Sequence, residues 1–321
     1  MAEVYKQIVT DLLDAEKFLK DVPKKSMWRA DINAVRLMLS RVYLYMCLYE
    51  EAEKYAALVT ENGPQLEDLN SFSGKEFLST NLSELIFSTG ASSLPGNVTF
   101  YSRNDGTEPG FVSGNDMRIS NELYEAYNPR NPIDLRLQYF VLDYDGSIRY
   151  RKLQGETFQT TDLSDVFLMR TAEAWLNLAE AAACAGDEPT ARKALNTLRE
   201  KRIKREFFDE SEVNGLTGEN LVQFIREERR RELCLEGHRW FDLRRYRVAE
   251  KYPQEVTVEH VYVNKTYNSS TYEYETLWIR KFVLTTDDPA WVMPLPKAEI
   301  DKNTGMLDNP RNERGYEDVN N

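Results

Sequence analysis

Two histidines and three cysteines among 321 residues leave little material for transition-metal or thiol chemistry. Cys47, Cys184 and Cys234 form no Cys-x-x-Cys pair, and no His-Glu-x-x-His spacing occurs, so neither a zinc site nor a disulfide framework is expected. Each cysteine falls within an apolar helical pattern and reads as a small buried hydrophobe. There is no Gly-x-Ser-x-Gly, no Walker loop and no Gly-x-Gly-x-x-Gly, which removes the nucleophile elbow and the phosphate-cradling loops. No apolar stretch approaches the roughly 20 residues that span a bilayer. The opening residues, MAEVYKQIVTDLL, have no basic segment followed by an apolar core and are not a signal peptide. Positive charge is also in deficit. A net charge of −12 argues against nucleic acid, whose phosphates demand concentrated cations.

What is present is a folding chain: 41% hydrophobic and 29% charged residues, long enough for one large domain or two ordinary ones. Tyr5, Ile8, Leu12, Ala15 and Leu19 recur at three- and four-residue spacing, so Glu3 to Leu19 predicts an amphipathic helix, broken at Asp21 to Ser26 around Pro23. Val35, Met38, Leu39, Val42 and Met46 form the next stripe. Ala52, Tyr55, Ala56 and Val59 form another, which stops at Asn62-Gly63-Pro64. The pattern returns at Ala172, Trp175, Leu176, Ala179 and Ala183, then at Ala191, Ala194, Leu195 and Leu198, after a turn read as two residues longer, Gly186 to Pro189. Small alanines at matching positions let antiparallel helices approach closely, and the two pairs read as tetratricopeptide-like hairpins.

Between them, Ser88 to Tyr150 is rich in Gly, Asn, Asp, Ser and aromatics, the character of functional loops. Further on, Asn220 to Leu235 predicts a helix, Gly237 interrupts it, and a shorter helix runs to about Ala249. Residues 256 to 283 alternate, as in a hairpin turning at Asn268-Ser269-Ser270, and the chain closes with an extended Pro-bounded segment and turns. Phe100, Tyr101, Phe111, Tyr144, Tyr150, Tyr267, Tyr272, Tyr274 and Trp278 stand in polar surroundings. Such rings either pack against the helices or offer flat apolar faces to hydroxylated ligands.

The run ERRRELCLEGHRWFDLRR, Glu228 to Arg245, is the local exception to the acidic balance. On a helix Glu227 faces Arg231, while Glu232 shares a face with Glu228 and Glu236, so the arginines sit among acids that satisfy them. An ion-pair network at a helix junction is expected there, with His238 a structural imidazole. Asp143, Asp145 and Gly146 begin a calcium-loop pattern whose downstream ligands are missing. With 53 acids, carboxylate pairs for glycoside hydrolysis are too abundant to point anywhere.

Three blocks resemble the SusD/RagB family of outer-membrane nutrient-binding lipoproteins. The first is LMRTAEAWLNLAEA (Leu168 to Ala181), then Gly186, Leu195-Asn196 and Arg199, similar to the family's R-x-A-E-x-x-L-x-x-A-E-A … G … L-N-x-x-R. The second, Ile225 to Leu233 with Glu236 to Arg245, resembles E-R-R-x-E-L-x-x-E-G-x-R-W-x-D-L-x-R. The third is Met293-Pro294-Leu295-Pro296 with Glu299, then Asn309-Pro310 and Gly315-Tyr316, like P-I-P-x-x-E … N-P-G-Y.

The resemblance implies a mainly α fold, an α/α superhelix of tetratricopeptide-like hairpins with a loop-rich, irregular ligand-binding region. Residues 1–66 would be the tetratricopeptide-like helical region and 67–321 the SusD/RagB C-terminal region. It implies a non-catalytic surface lipoprotein, without cofactor, that delivers an oligosaccharide or other nutrient to a SusC-like TonB-dependent transporter and binds no nucleic acid. The family's signal peptide, lipobox cysteine and first helices have no counterpart, so the lipid anchor is expected outside this chain. No motif fixes ligand residues; the loop position points to Phe100, Tyr101, Arg103, Asn104 and Asp105, the rings stacking and the polar groups bonding hydroxyls. The alternatives are a helical-repeat protein–protein scaffold without a glycan ligand and, lowest, a glycoside hydrolase.

Overall fold

Apolar residues at helical spacing produce the first three helices, α1 (Ala2–Leu19), α2 (Ile32–Tyr45) and α3 (Tyr49–Asn62). The Asp31 carboxylate starts α2 by accepting the Ala34 N–H at 2.9 Å. Gly63, ahead of Pro64, ends α3 with its N–H on the Val59 carbonyl at 2.8 Å. Val9, Leu12, Leu13, Ala15 and Leu19 of α1 lean on a core of Val35, Leu39, Tyr43 and Tyr55.

The computed structural model describes residues 2–74, 77–89, 119–144, 147–150, 152, 168–309 and 314–319. After α3 come β1 (Leu85–Ser88), the short helices α4 (Asn121–Glu125) and α5 (Arg136–Phe140), and the strands β2 (Val141–Tyr144), β3 (Ser147–Tyr150) and β4 (Leu168–Arg170). The second hairpin is α6 (Thr171–Ala185) and α7 (Glu188–Glu200), followed by α8 (Ser211–Asn214) and α9 (Gly218–Glu232). β1 pairs antiparallel with β4, and β2 with β3. Ala52 and Ala56 of α3, and Ala172, Ala174, Ala179, Ala181 and Ala182 of α6, are wholly buried, the close-packing role their size predicts. The fold is mainly α and tetratricopeptide-like, as expected. The turn between α6 and α7 is shorter than the sequence reading, only Gly186 and Asp187. Pro189 belongs to the helix, where its missing N–H costs nothing in the first turn, and Asp187 caps Thr190. Helix α9 stops at Glu232, three residues short of the expected end, and Leu235 and Gly237 take positive φ.

The chain divides into two compact units at Arg239–Trp240. The second holds most of α10 (Arg239–Tyr246), then β5 (Val258–Asn268), β6 (Glu273–Leu284), α11 (Lys297–Lys302) and β7 (Glu317–Asp318), with the strands ordered β5-β6-β7. Leu243, Tyr246, Val256 and Trp291 form its small core, and the Trp291 indole donates to the Thr285 carbonyl at 2.7 Å. The hairpin turns as predicted, the Asn268 side chain accepting the Ser270 N–H at 2.9 Å. Helix α11 lies in the segment read as extended and turns.

Gly186 closes α6 at φ +101°, and a Cβ there would meet nothing within 4 Å. Gly186→Ala therefore isolates the left-handed backbone cost, about 1 kcal/mol. Urea titration should show a lower midpoint with an unchanged slope.

Candidate functional site

The first unit is organised around buried charge. Arg136, Arg170 and Arg202 all surround the fully buried Glu232. Arg136 reaches it at 3.1 Å, Arg170 at 2.5 Å and Arg202 at 3.0 Å. Arg136 also grips Asp134 at 2.7 Å and Glu228 at 2.7 Å. Arg170 extends to Glu84 at 2.7 Å and Glu236 at 2.8 Å, while Arg202 meets Glu84 at 2.8 Å. The Lys152 ammonium lies 2.5 Å from Glu236 and donates to the carbonyls of Glu232 and Cys234. Arg231, 2.6 Å from Glu228, completes the balance of charge. Phe77 and Phe140 lie against the cations, with Lys152 4.1 Å from the Phe140 ring centre.

Burial alone would raise the carboxyl pKa values, but the guanidiniums outweigh it. Arg136, Arg231 and Arg199 hold Glu228 at about 2. Glu232 is held well below the carboxylate range by Arg202, Arg170 and Arg136, and Glu236 is lowered by Arg170 and Lys152. The ion-pair network expected around the basic run is therefore present, with different partners. Glu232 is neutralised by arginines from distant segments, and Arg231 turns to Glu228 while Arg230 is the one near Glu227, at 3.6 Å. Arg229 instead donates to Asn177 at 2.7 Å. His238 is buried, 3.4 Å from the Arg229 guanidinium.

This cluster also holds the ribbon that borders residues 90–118 and 153–167. Ser88 faces Leu168 across the β1–β4 ribbon, so the chain departs for 90–118 from the end at which it returns from 153–167. Glu84 precedes β1 and Arg170 ends β4, so their ion pair locks the ribbon. Phe100, Tyr101, Arg103, Asn104 and Asp105 lie outside the described residues, as do Phe111 and the side chains of Tyr144 and Tyr150.

In the second unit, the β5–β6–β7 sheet carries an aromatic row on one face. Tyr262 stands 5.5 Å from Trp278, ring centre to ring centre. The Arg280 guanidinium lies 4.3 Å from the Trp278 ring and 3.8 Å from that of Tyr316, and is 3.3 Å from Asp318. Tyr262 and Tyr316 are about half exposed. Of the aromatics singled out from sequence, only Trp278 belongs to this row. Tyr267 and Tyr274 pair on the opposite face at 5.2 Å, and Tyr272 sits in the turn. Tyr262, Arg280 and Tyr316 were missed. The period-two alternation was the available signal, but Asn264 faces Trp278 while Lys265 faces Thr276, and that bulge at Leu277 shifts the count from the turn.

The SusD family model matches residues 54–316, most of the chain. The chain belongs to the SusD family. No curated protein matches it. A structure described as a putative sugar binding protein from Bacteroides vulgatus is 26% identical, with a TM-score of 0.70 over 96% of this chain and 65% of that one. A SusD superfamily protein from Bacteroides thetaiotaomicron is 22% identical, with a TM-score of 0.72 over 97% of this chain and 66% of that one. NanU of B. fragilis is 21% identical, with a TM-score of 0.61 over 98% of this chain and 70% of that one. The chain thus spans about two thirds of the length of these SusD relatives. In this SusD chain, no helix among the described residues is long and apolar enough to cross a membrane, and no cluster of metal-ligating side chains occurs among them.

Two outcomes follow from the buried cluster. Because the folded pKa of Glu228 lies near 2 against an ordinary 4.5, its contribution, roughly 3 kcal/mol, is complete above pH 4.5 and lost as pH falls toward 2. Urea midpoints should fall steeply below pH 4.5; a flat profile from pH 6 to 3 would contradict the assignment. Glu232→Gln removes the shared negative charge from between three guanidiniums, leaving the buried cluster one positive charge in excess, and should cost about 3–5 kcal/mol at pH 7, read from the same titrations.

Proposed function

We propose that this chain is a non-catalytic, cell-surface binding protein for an oligosaccharide, which it delivers to a SusC-like TonB-dependent transporter of the outer membrane. The observation that carries the reading is the SusD family match across residues 54–316. The 26% identical relative described as a putative sugar binding protein favours a carbohydrate as the nutrient. In this reading residues 1–66 form the helical region, residues 67–321 carry the ligand loops, and a lipid anchor holds the protein at the membrane.

The ligand contacts are assigned to Phe100, Tyr101, Arg103, Asn104 and Asp105. Rings cover the apolar C–H face of a pyranose, and Arg103, Asn104 and Asp105 bond its hydroxyls. One observation supports this placement, and another favours a hydroxylated ligand without bearing on where it binds. The segment departs from a ribbon locked by the Glu84–Arg170 ion pair, which supplies a rigid base for a binding loop. The second unit, with Tyr262, Trp278 and Tyr316 partly exposed beside Arg280 and Asp318, independently offers surface chemistry suited to hydroxylated ligands.

Native affinity electrophoresis against a panel of soluble polysaccharides tests the reading. At least one polysaccharide should retard the protein without release of reducing ends. The double variant Tyr101→Ala, Asp105→Ala should weaken that retention about tenfold or more. Retention untouched by the substitutions would move the ligand site elsewhere, and no retention by any polysaccharide would favour the helical scaffold.

A further inference from the structure

Among the described residues, strand β5 is an open edge. The sheet order places it outside β6, with β7 on the far side, and its eleven residues, VEHVYVNKTYN, are exposed apart from Asn264 and Asn268. Its backbone hydrogen bonds go to β6 alone among the described residues. Free edges are normally blunted by brevity, charged side chains, proline, bulges or a covering element. The opposite edge, β7, follows that rule with only Glu317 and Asp318. β5 does not. It is long, contains no proline, and its bulge residue lies on β6, leaving the β5 outer rim regular. It also exposes apolar side chains: Val261 is 51% exposed and Val263 41%.

The charges on this edge are arranged for one particular neighbour. Glu259 and Lys265 lie three residues either side of Tyr262, on the same face as Val261 and Val263. We propose that β5 pairs antiparallel with β5 of a second copy of this chain, the two-fold axis passing at Tyr262. In that register Glu259 stands opposite Lys265 of the second copy, twice per dimer. Val261 stands opposite Val263 of the second copy, also twice, and Tyr262 opposite Tyr262. On the other face His260 meets Asn264 and Val258 meets Thr266, so no like charges confront each other. An isologous contact of this kind closes after two copies and does not propagate. The pairing joins the two sheets into one, bonds the free N–H and C=O groups of both rims, and brings the two exposed valine faces together. Lys281 lies 3.4 Å from both Glu259 and Glu317, so it is shared, and Glu259 keeps capacity for a second cation.

Charge exchange tests the register. Sedimentation equilibrium of the whole chain from about 1 to 200 μM should show a monomer–dimer equilibrium. Glu259→Lys puts lysine against lysine and Lys265→Glu puts glutamate against glutamate, so each should raise the dimer dissociation constant on the order of tenfold. Both positions are exposed, and circular dichroism should confirm unchanged folding. Mixing the two single variants restores opposite charges across the heterodimer, as does the double variant with itself, and both should return to wild-type dissociation. A monomer throughout the range overturns the proposal and leaves the edge to a strand of a different protein. A dimer insensitive to both single substitutions, or one that mixing fails to restore, overturns it as well by assigning dimerisation to another surface.

Discussion

The Glu232 carboxylate, shut away from water and held by three guanidiniums, is the constraint on which the first unit depends. Placing those ions inside the protein carries a large desolvation cost, which their mutual attraction offsets only while every partner is present. The cluster is therefore weak evidence for great stability and strong evidence for a defined arrangement. Arg170 stands at the entrance to α6 and Arg202 just beyond the end of α7, so one carboxylate at the end of α9 fixes both ends of the second hairpin. Glu84 and Lys152 extend the same hold to the stretches beside β1 and β3.

That arrangement separates two roles which the basic run alone would confuse. A helix carrying Arg229, Arg230 and Arg231 invites an anion-binding interpretation, yet Arg229 bonds Asn177 and Arg230 and Arg231 are matched by Glu122 and Glu228. These three arginines are spent on contacts within the fold. The aromatic row of the second unit shows the opposite character: partly exposed rings with a guanidinium laid against them, a surface open to solvent.

Much of this was legible in the residues, and the exceptions share a cause. The tetratricopeptide-like hairpins follow from local periodicity, and most of the small alanines that predict close approach are wholly buried. The β5–β6 turn follows from Asn268 and its neighbours. The partners of Glu232 were invisible because helical spacing compares residues three or four apart, whereas Arg202, Arg170 and Arg136 lie far along the chain. Pro189 was read as ending a turn when its place in the first helical turn suits it equally well. The aromatic row required a register that one bulged residue, Leu277, displaces. The loop residues from Phe100 to Asp105 rest on position and chemistry, since no local pattern marks a glycan contact.

Hydrogen–deuterium exchange with and without a polysaccharide that the protein retains separates scaffold from site most directly. The account predicts slowed exchange in peptides covering residues 90–118 and no change in those covering 218–239, whose amides the ion-paired scaffold already holds. Protection confined to 218–239, with 90–118 unaffected, would contradict it and make the arginine-rich run the ligand site after all.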